Sequence, residues 1–265
     1  MPPANSTQSN STAETIGNNM APIPVIIPAA GIGSRMAAAC AKQYLKLGNK
    51  TVLEHSIEVF LHNPRIASIT LALHPNDTLF NTLAMAKHPR INVVVGGNER
   101  VDSVLNALRF IANKISDNPE QSAWVMVHDA ARPCLQQSDL DKLIDACMHD
   151  SNSCGGILAV PVADTIKQQA SGANEHTLID KTIDRTLLWQ AQTPQMFKSH
   201  ELLNAIEHAL SAEPSSAVIT DEASAMELAA YKVQLVEGQS SNIKITRPSD
   251  LALAQFYLST QERDA

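Results

Sequence analysis

The residues best placed to do chemistry lie at 28–36, Pro-Ala-Ala-Gly-Ile-Gly-Ser-Arg-Met, with Lys42-Gln43-Tyr44 close behind. Ala29, Ala30, Gly31 and Gly33 carry almost no side chain, so a ligand can approach the backbone, whose N–H groups stay free to donate to phosphate oxygens. Arg35 and Lys42 add two fixed positive charges, one a planar fork and the other a point charge on a flexible stem. These types at this spacing describe a loop that cradles a triphosphate. A dinucleotide fingerprint fits less well, because Met36 stands where a third glycine or alanine lets helix and strand pack closely. Taken alone, Gly-x-Gly after a strand is equally compatible with a tight turn.

Further clusters stand at other element ends. Gly96-Gly97-Asn98-Glu99-Arg100-Val101-Asp102-Ser103 joins a strand end to a helix start. Gly97 allows close approach there, and backbone groups with Ser103 can read the edge of a pyrimidine. Gly-Gly also ends a strand and Asn98 can cap a helix, and both readings can hold together. In His128-Asp129-Ala130-Ala131-Arg132-Pro133, Asp129 can hold a metal ion or a hydroxyl and Arg132 can meet an anion. A local Asp–Arg pair that organises the turn is an equal alternative, and His128 reads as structural. Asp164-Thr165 and Lys167 follow another strand end, Thr220-Asp221-Glu222 opens a helix, and Asn242-Ile243-Lys244-Ile245-Thr246 sets a cation on a short strand. Singly these last are bland, a cap or a surface lysine.

The elements that must position these residues follow from hydrophobic periodicity. Residues 23–27 are apolar and rich in β-branched types, a buried strand that delivers the first loop at its C-terminal end, where ligands sit in an open α/β sheet. Thr51-Val52-Leu53-Glu54 is a capping box opening a helix with Leu53, Ile57, Phe60 and Leu61 on one face. A strand over 66–73, a helix around 79–86 and a strand over 91–95 follow, then a helix carrying Val101, Val104, Leu105, Leu108 and Ile111, and a strand over 123–127. This alternation predicts the α/β class, a mostly parallel sheet with helices on both faces. Ser138 caps a further helix, and 155–160 is another buried strand. From 164 to 188, Thr, Ile and charged residues alternate without a core-forming face, which predicts a protruding β-arm that pairs with a second subunit. Helices over 199–210 and 221–230, strands over 233–236 and 243–245, and a last helix from Pro248 complete the pattern.

Composition sets outer bounds. The chain has 265 residues, 44% hydrophobic and 18% charged, which suits one domain over 21–265. With a net charge of −7 and no basic stretch, neither a nucleic-acid surface nor a polybasic membrane anchor is expected, so phosphate binding rests on a few local cations. No segment has the length of a membrane-spanning helix. Cys40, Cys134, Cys147 and Cys154 lack metal-ligand spacing and read as reduced structural thiols. Residues 1–20 are rich in Ser, Thr and Asn and read as a disordered tail; without an apolar stretch or any Arg or Lys they resemble neither a signal nor a transit peptide, and a cytoplasmic location is expected.

Read together, PAAGIGSRM, KQY, GGNERVDSV, VHDAARP, PVADTIK, DRTLLWQAQTPQ, ITDEASAMELA, LVEGQSSNIKIT and RPSDLALA resemble the methylerythritol phosphate cytidylyltransferase family, from about residue 23 to 258. The resemblance implies a Rossmann-like nucleotidyltransferase sheet, transfer of CMP from CTP to 2-C-methyl-D-erythritol 4-phosphate, Mg²⁺ bound mainly through the CTP phosphates, and a homodimer clasped through the arms. It further implies that Arg35 and Lys42 stabilise the α-phosphate in the transition state, joined by Lys244 as a third catalytic cation. Ala29, Ala30, Gly31, Gly33, Gly97 and Ser103 would hold the nucleotide. Asp129, Arg132, Thr165, Thr193, Thr220 and Lys244 would line the acceptor site, with Arg185 reaching in from the other subunit. A phosphate monoester, with a second pKa of about 6, is already a competent nucleophile near neutral pH, so no catalytic His or Cys is required. Ribitol phosphate cytidylyltransferases share the nucleotide half, and a non-catalytic nucleotide-binding protein is the alternative of another class. One departure is Ala41, where the family usually has proline, and a looser loop is expected from it.

Overall fold

A computed structural model describes residues 21–31, 41–116, 123–150, 152–171, 178–211 and 219–264. The tail over 1–20, Cys40, and the loop residues Gly33 and Arg35 lie outside the described residues.

The chain builds a seven-stranded sheet. Its strands are β1 (Ile23–Ala29), β4 (Ile66–Leu73), β5 (Ile91–Val95), β6 (Trp124–Val127), β7 (Gly155–Pro161), β10 (Trp189–Lys198) and β11 (Gln234–Glu237). They lie in the order β11-β7-β10-β6-β1-β4-β5, with β10 antiparallel to both its neighbours and every other pair parallel. The residue alternation of β1 shows why both faces must be covered. Ile23, Val25 and Ile27 pack on one side with Leu53, Ile57 and Phe60 of α1 (Val52–Leu61) and with Leu140, Leu143 and Ile144 of α3 (Gln137–His149). Ile26 points the other way, against Val104, Leu105 and Leu108 of α2 (Arg100–Ser116) and Leu202 and Ile206 of α4 (Ser199–Ser211). Each such side chain taken fully out of water contributes roughly 1.5–3 kcal/mol, so a two-residue period of β-branched types here specifies a two-sided core.

Two small elements matter for the site. A hairpin of β2 (Lys46–Leu47) and β3 (Lys50–Thr51) leads into α1, whose Thr51 capping box forms as its sequence predicts. The last helix, α6 (Pro248–Asp264), packs Ala254 with Leu47, Val52, Ala131, Cys134 and Ile245 in a third apolar cluster. Within 164–188, β8 (Ile166–Gln169) pairs antiparallel with β9 (Ile179–Ile183) as a two-stranded ribbon separate from the main sheet, with Leu178, Ile179 and Leu187 exposed.

Four local expectations are corrected. Residues 79–86 form two short 3₁₀ turns, Phe80–Thr82 and Ala84–Lys87, because Leu83 between them takes an extended ψ of 140°. Residues 243–245 are not a strand; the Ile-Lys-Ile alternation buries Ile245, whose N–H donates to Ala131 O at 2.8 Å, within a loop. Ser138 falls inside the first turn of α3, after an N-cap at Gln136. Asn98 does not cap α2: the Asp102 carboxylate accepts the Glu99 N–H at 3.0 Å instead.

Candidate active site

The end of β1 supplies Ala29 and Ala30, and the turn at Lys42–Tyr44 is fastened beside it. Gln43, buried, donates its Nε2 to Ala29 O at 2.8 Å, and the Tyr44 hydroxyl donates to Asp77 Oδ2 at 2.7 Å. Burial, and then Asp77, push the Tyr44 hydroxyl well above its ordinary range, so it stays a donor. Lys42 is thereby held at the mouth of β1, its Nζ 3.4 Å from Ile245 O. Ala41 has φ −58°, a value that proline would also take, so alanine meets the backbone geometry of this turn.

Across from it, the Gly96–Gly97 loop leans on the same strand end. A Cβ on Gly96 would come within 2.5 Å of the Ala30 Cβ, and one on Gly97 within 2.1 Å of the Asp102 Cβ. Glycine is therefore demanded here by packing of the two loops and of the helix start, beyond any need of a ligand. Ser103, expected to read a base, is 2% exposed; its Oγ accepts the Gly97 N–H at 3.0 Å and donates to Glu99 O at 3.3 Å. Its first task is to shape the loop.

Between these loops lies a cavity of about 190 Å³, lined by Ala29, Ala30, Gly31, Lys42, Gly97 and Ser103, and closed by Arg100, Asp129 and Lys244. A second cavity of about 180 Å³ adjoins it, lined by Arg132, Thr193 and Thr220 among others, and again by Arg100, Asp129 and Lys244. Those three are the residues that the two linings share. The sequence-predicted nucleotide and acceptor residues thus fall into two compartments with a common wall. Among the described residues Thr165 and Arg185 are the exceptions: both are exposed within 164–188 and line neither cavity. Thr165 does not stand beside Asp129 in its own chain because it lies at the root of the ribbon that leaves the sheet.

The wall is an ion cluster. Asp129 Oδ2 lies 2.7 Å from Lys244 Nζ and 3.7 Å from Arg132 Nε, while Oδ1 accepts from Arg100 Nε at 3.1 Å. Burial would raise the Asp129 carboxyl, but Arg100, Lys244 and Arg132 together hold it well below the usual carboxylate range. Arg132 donates to Asn242 O at 2.7 Å and to Ala191 O at 3.3 Å, leaving its buried Nε without a hydrogen-bond partner. Arg100 and Glu222 stand inside two separate motifs of the sequence, Glu222 in the turn that bears on the acceptor's identity, and nothing in either motif pairs them. They meet across 122 positions, and no periodicity marks such a pair.

His128 is confirmed as structural. Its Nε2 lies 3.0 Å from Arg132 O, which can only accept, so Nε2 carries the proton and Nδ1 accepts from Thr193 Oγ1 at 3.1 Å. Thr193 Oγ1 in turn accepts the Asp129 N–H at 3.0 Å. Burial lowers His128 from 6.5 to about 4. The unfolded chain takes up this proton below pH 6.5 and the folded chain only near 4, so stability falls as the pH drops through that window, by roughly 3 kcal/mol. In urea unfolding at pH 7 and pH 4, a His128→Gln variant is expected to lose that much less stability than the parent; equal losses would contradict the assignment.

The comparisons with known proteins converge. The family model for 2-C-methyl-D-erythritol 4-phosphate cytidylyltransferase matches residues 23–260. The protein of that name from Vibrio vulnificus is 48% identical over 247 residues, covering 93% of this chain and 99% of the relative. That from Salmonella paratyphi B is 48% identical over 234 residues, 88% of this chain and 92% of the relative. Among solved structures, the Francisella tularensis 2-C-methyl-D-erythritol 4-phosphate cytidylyltransferase superposes with a TM-score of 0.73 at 36% identity, over 89% of this chain and 100% of that one. With the match running from the first strand into the last helix and taking in both cavities, the chain belongs to the 2-C-methyl-D-erythritol 4-phosphate cytidylyltransferase family.

Proposed function

We infer that this chain transfers CMP from CTP to 2-C-methyl-D-erythritol 4-phosphate, releasing pyrophosphate. The observation that carries the mechanism is the shared wall: two adjoining cavities, one behind a small-residue loop with Lys42 and the other holding Arg132, meet at Arg100, Asp129 and Lys244. A nucleotide and an anionic acceptor seated on either side would bring their phosphates together there.

The acceptor phosphate is dianionic and attacks the α-phosphorus without a general base. That suits a fold in which His128, behind the site, is buried and stays neutral, and in which the core thiols of Cys134 and Cys147, outside both cavities, are pushed up to about 12 by burial. Catalysis is then positioning and charge compensation. Lys42 and Arg35 stabilise charge at the α-phosphate, and Lys244 orients the acceptor phosphate, which competes with Asp129 for it. Ala29, Ala30, Gly31, Gly33, Gly97 and Ser103 hold the nucleotide. Asp129, Arg132, Thr193 and Thr220 hold the acceptor.

Magnesium takes oxygen ligands and is commonly held by substrate phosphates with few protein groups. Among the described residues no cluster of His, Cys, Asp or Glu forms a metal cage, and both oxygens of Asp129 are committed to cations. The donor set fits Mg²⁺ carried by the CTP phosphates, whose charge it would neutralise. Arg185 completes the acceptor site from the arm of a second subunit, and Thr165, on the same arm, travels with it. The exposed Leu178, Ile179 and Leu187 on the ribbon support a homodimer formed through the arms. Among the described residues no helix is long and apolar enough to cross a membrane.

Pyrophosphate release, assayed with each nucleoside triphosphate and with either methylerythritol phosphate or ribitol phosphate, tests the reading. CTP with methylerythritol phosphate is expected to give the highest kcat/KM, and UTP to fall far behind because a site that hydrogen-bonds an amino group rejects the analogue lacking it. Comparable turnover of ATP, or a preference for ribitol phosphate, would overturn it.

A further inference from the structure

Arg100 is the one residue of the shared wall to which neither the triphosphate loop nor the acceptor site gives a role. It is the first residue of α2, directly behind the glycine loop of the nucleotide cavity. Its Nη1 and Nη2 donate to the two oxygens of Glu222 at 2.7 and 3.0 Å, and its Nε donates to Asp129 Oδ1 at 3.1 Å. Glu222 is itself rigidly presented. It opens α5 (Glu222–Leu228), whose N-cap Asp221 makes a capping box with Ser224. Gln195 clamps the same turn, donating to Asp221 Oδ2 at 2.8 Å and accepting the Ala223 N–H at 2.9 Å. The Glu222 side chain is 2% exposed and that of Asp129 10%. One guanidinium therefore ties together the first turn of α2, the end of β6 and the first turn of α5, which are elements of different cavities.

We propose that Arg100 is a positioning residue for the transfer, one that grips Glu222 and Asp129 at once and so fixes the acceptor cavity in register with the nucleotide cavity. Because Oδ1 of Asp129 is held by Arg100, only Oδ2 can exchange Lys244 for an acceptor hydroxyl. The geometry demands arginine: a planar fork meets both oxygens of one carboxylate while Nε serves a second, whereas a lysine ammonium is a single point charge at the end of a flexible stem. The inference rests on the cytidylyl-transfer reading above.

A buried ion pair can also be no more than a piece of fold, and removing one partner alone leaves the other charge stranded. The discriminating variant is Arg100→Met with Glu222→Gln, which leaves no unpaired buried charge at α5, studied beside Arg100→Lys. The parent must first turn over CTP and methylerythritol phosphate; a parent that binds CTP but does not turn over overturns the functional reading and, with it, this role for Arg100, whereas an active parent with the outcomes below separates the two. Given an active parent, both variants are expected to bind CTP within about threefold of the parent in calorimetric titration. Their KM for the acceptor should rise and kcat/KM for it fall by about tenfold or more, the scale of a small misplacement at a reacting centre. The double variant should melt at close to the parental temperature while its acceptor kinetics stay impaired. If melting temperature and acceptor kinetics recover together, or if CTP affinity falls as far as acceptor affinity, Arg100 does not position the acceptor. Should the double variant fail to fold, Arg100→Lys decides: parental acceptor kinetics in it would overturn the proposal.

Discussion

Lys42→Ala is expected to lower kcat by about 10²- to 10³-fold, the usual consequence of deleting one preorganised donor from a site of developing negative charge. The loss should fall on kcat more than on the KM for CTP, because the charge that Lys42 meets is greatest when the α-phosphorus is five-coordinate. Folding should be spared. The turn at Lys42–Tyr44 is fastened by its neighbours, Gln43 to Ala29 O and Tyr44 to Asp77, and the lysine stem reaches into the cavity. Lys42→Arg should restore only part of the rate, since a planar fork on the same turn cannot replace a compact ammonium. The measurement is single-turnover formation of the cytidine diphosphate product by purified variants whose melting curves match the parent. A Lys42→Ala enzyme that turns over at near the parental rate would remove this loop from the chemistry.

The main features of the fold were legible because each rests on local chemistry. A run of β-branched residues is a buried strand wherever it has two faces to fill, and β1 fills both. Thr51 and Glu54 form their box because the partners lie three residues apart. The lack of an apolar face over 164–188 fits a pair of strands outside the main sheet, which is where β8 and β9 lie. What local pattern could not reveal is whatever depends on a distant partner. The alternation of Ile243, Lys244 and Ile245 is the same for a strand and for a loop pinned to Ala131, and only α6 and its neighbours, which bury Ile245, decide between them. Asn98 is as good a cap as Asp102 is an N3 acceptor, and the crowding of Gly97 against Asp102 favours the latter. In the site, Asp129 and Arg132 were nameable, but the grip of Arg100 on Glu222 joins residues 122 positions apart and has no signature in either segment. Thr165 and Arg185 show the limit from the other side, because both stand exposed and line neither cavity of their own chain.

Arg185 is exposed on the connection between β9 and β10, outside both cavities of its own chain. If it meets the acceptor phosphate of a partner, Arg185→Ala should lower kcat/KM for the acceptor by roughly 10- to 100-fold, the worth of a charge-assisted hydrogen bond, while CTP binding is kept. Loss of activity alone does not tell action within a chain from action across an interface, but subunit exchange does. Mix an Arg185→Ala chain with a Lys42→Ala chain and let the dimers reassort. In a mixed dimer with crossed arms, one site receives the Lys42→Ala loop together with the Arg185→Ala arm, and the other site receives the intact loop with the intact arm. The mixed dimer should therefore recover up to half the activity of a parent dimer, although each variant alone is nearly inactive. If Arg185 served its own chain, each site of the mixed dimer would carry one defect and mixing would restore nothing. Exchange is followed by mass spectrometry of differently tagged chains, so a silent mixture with verified exchange refutes the crossed arm, and recovery without dimers refutes it equally.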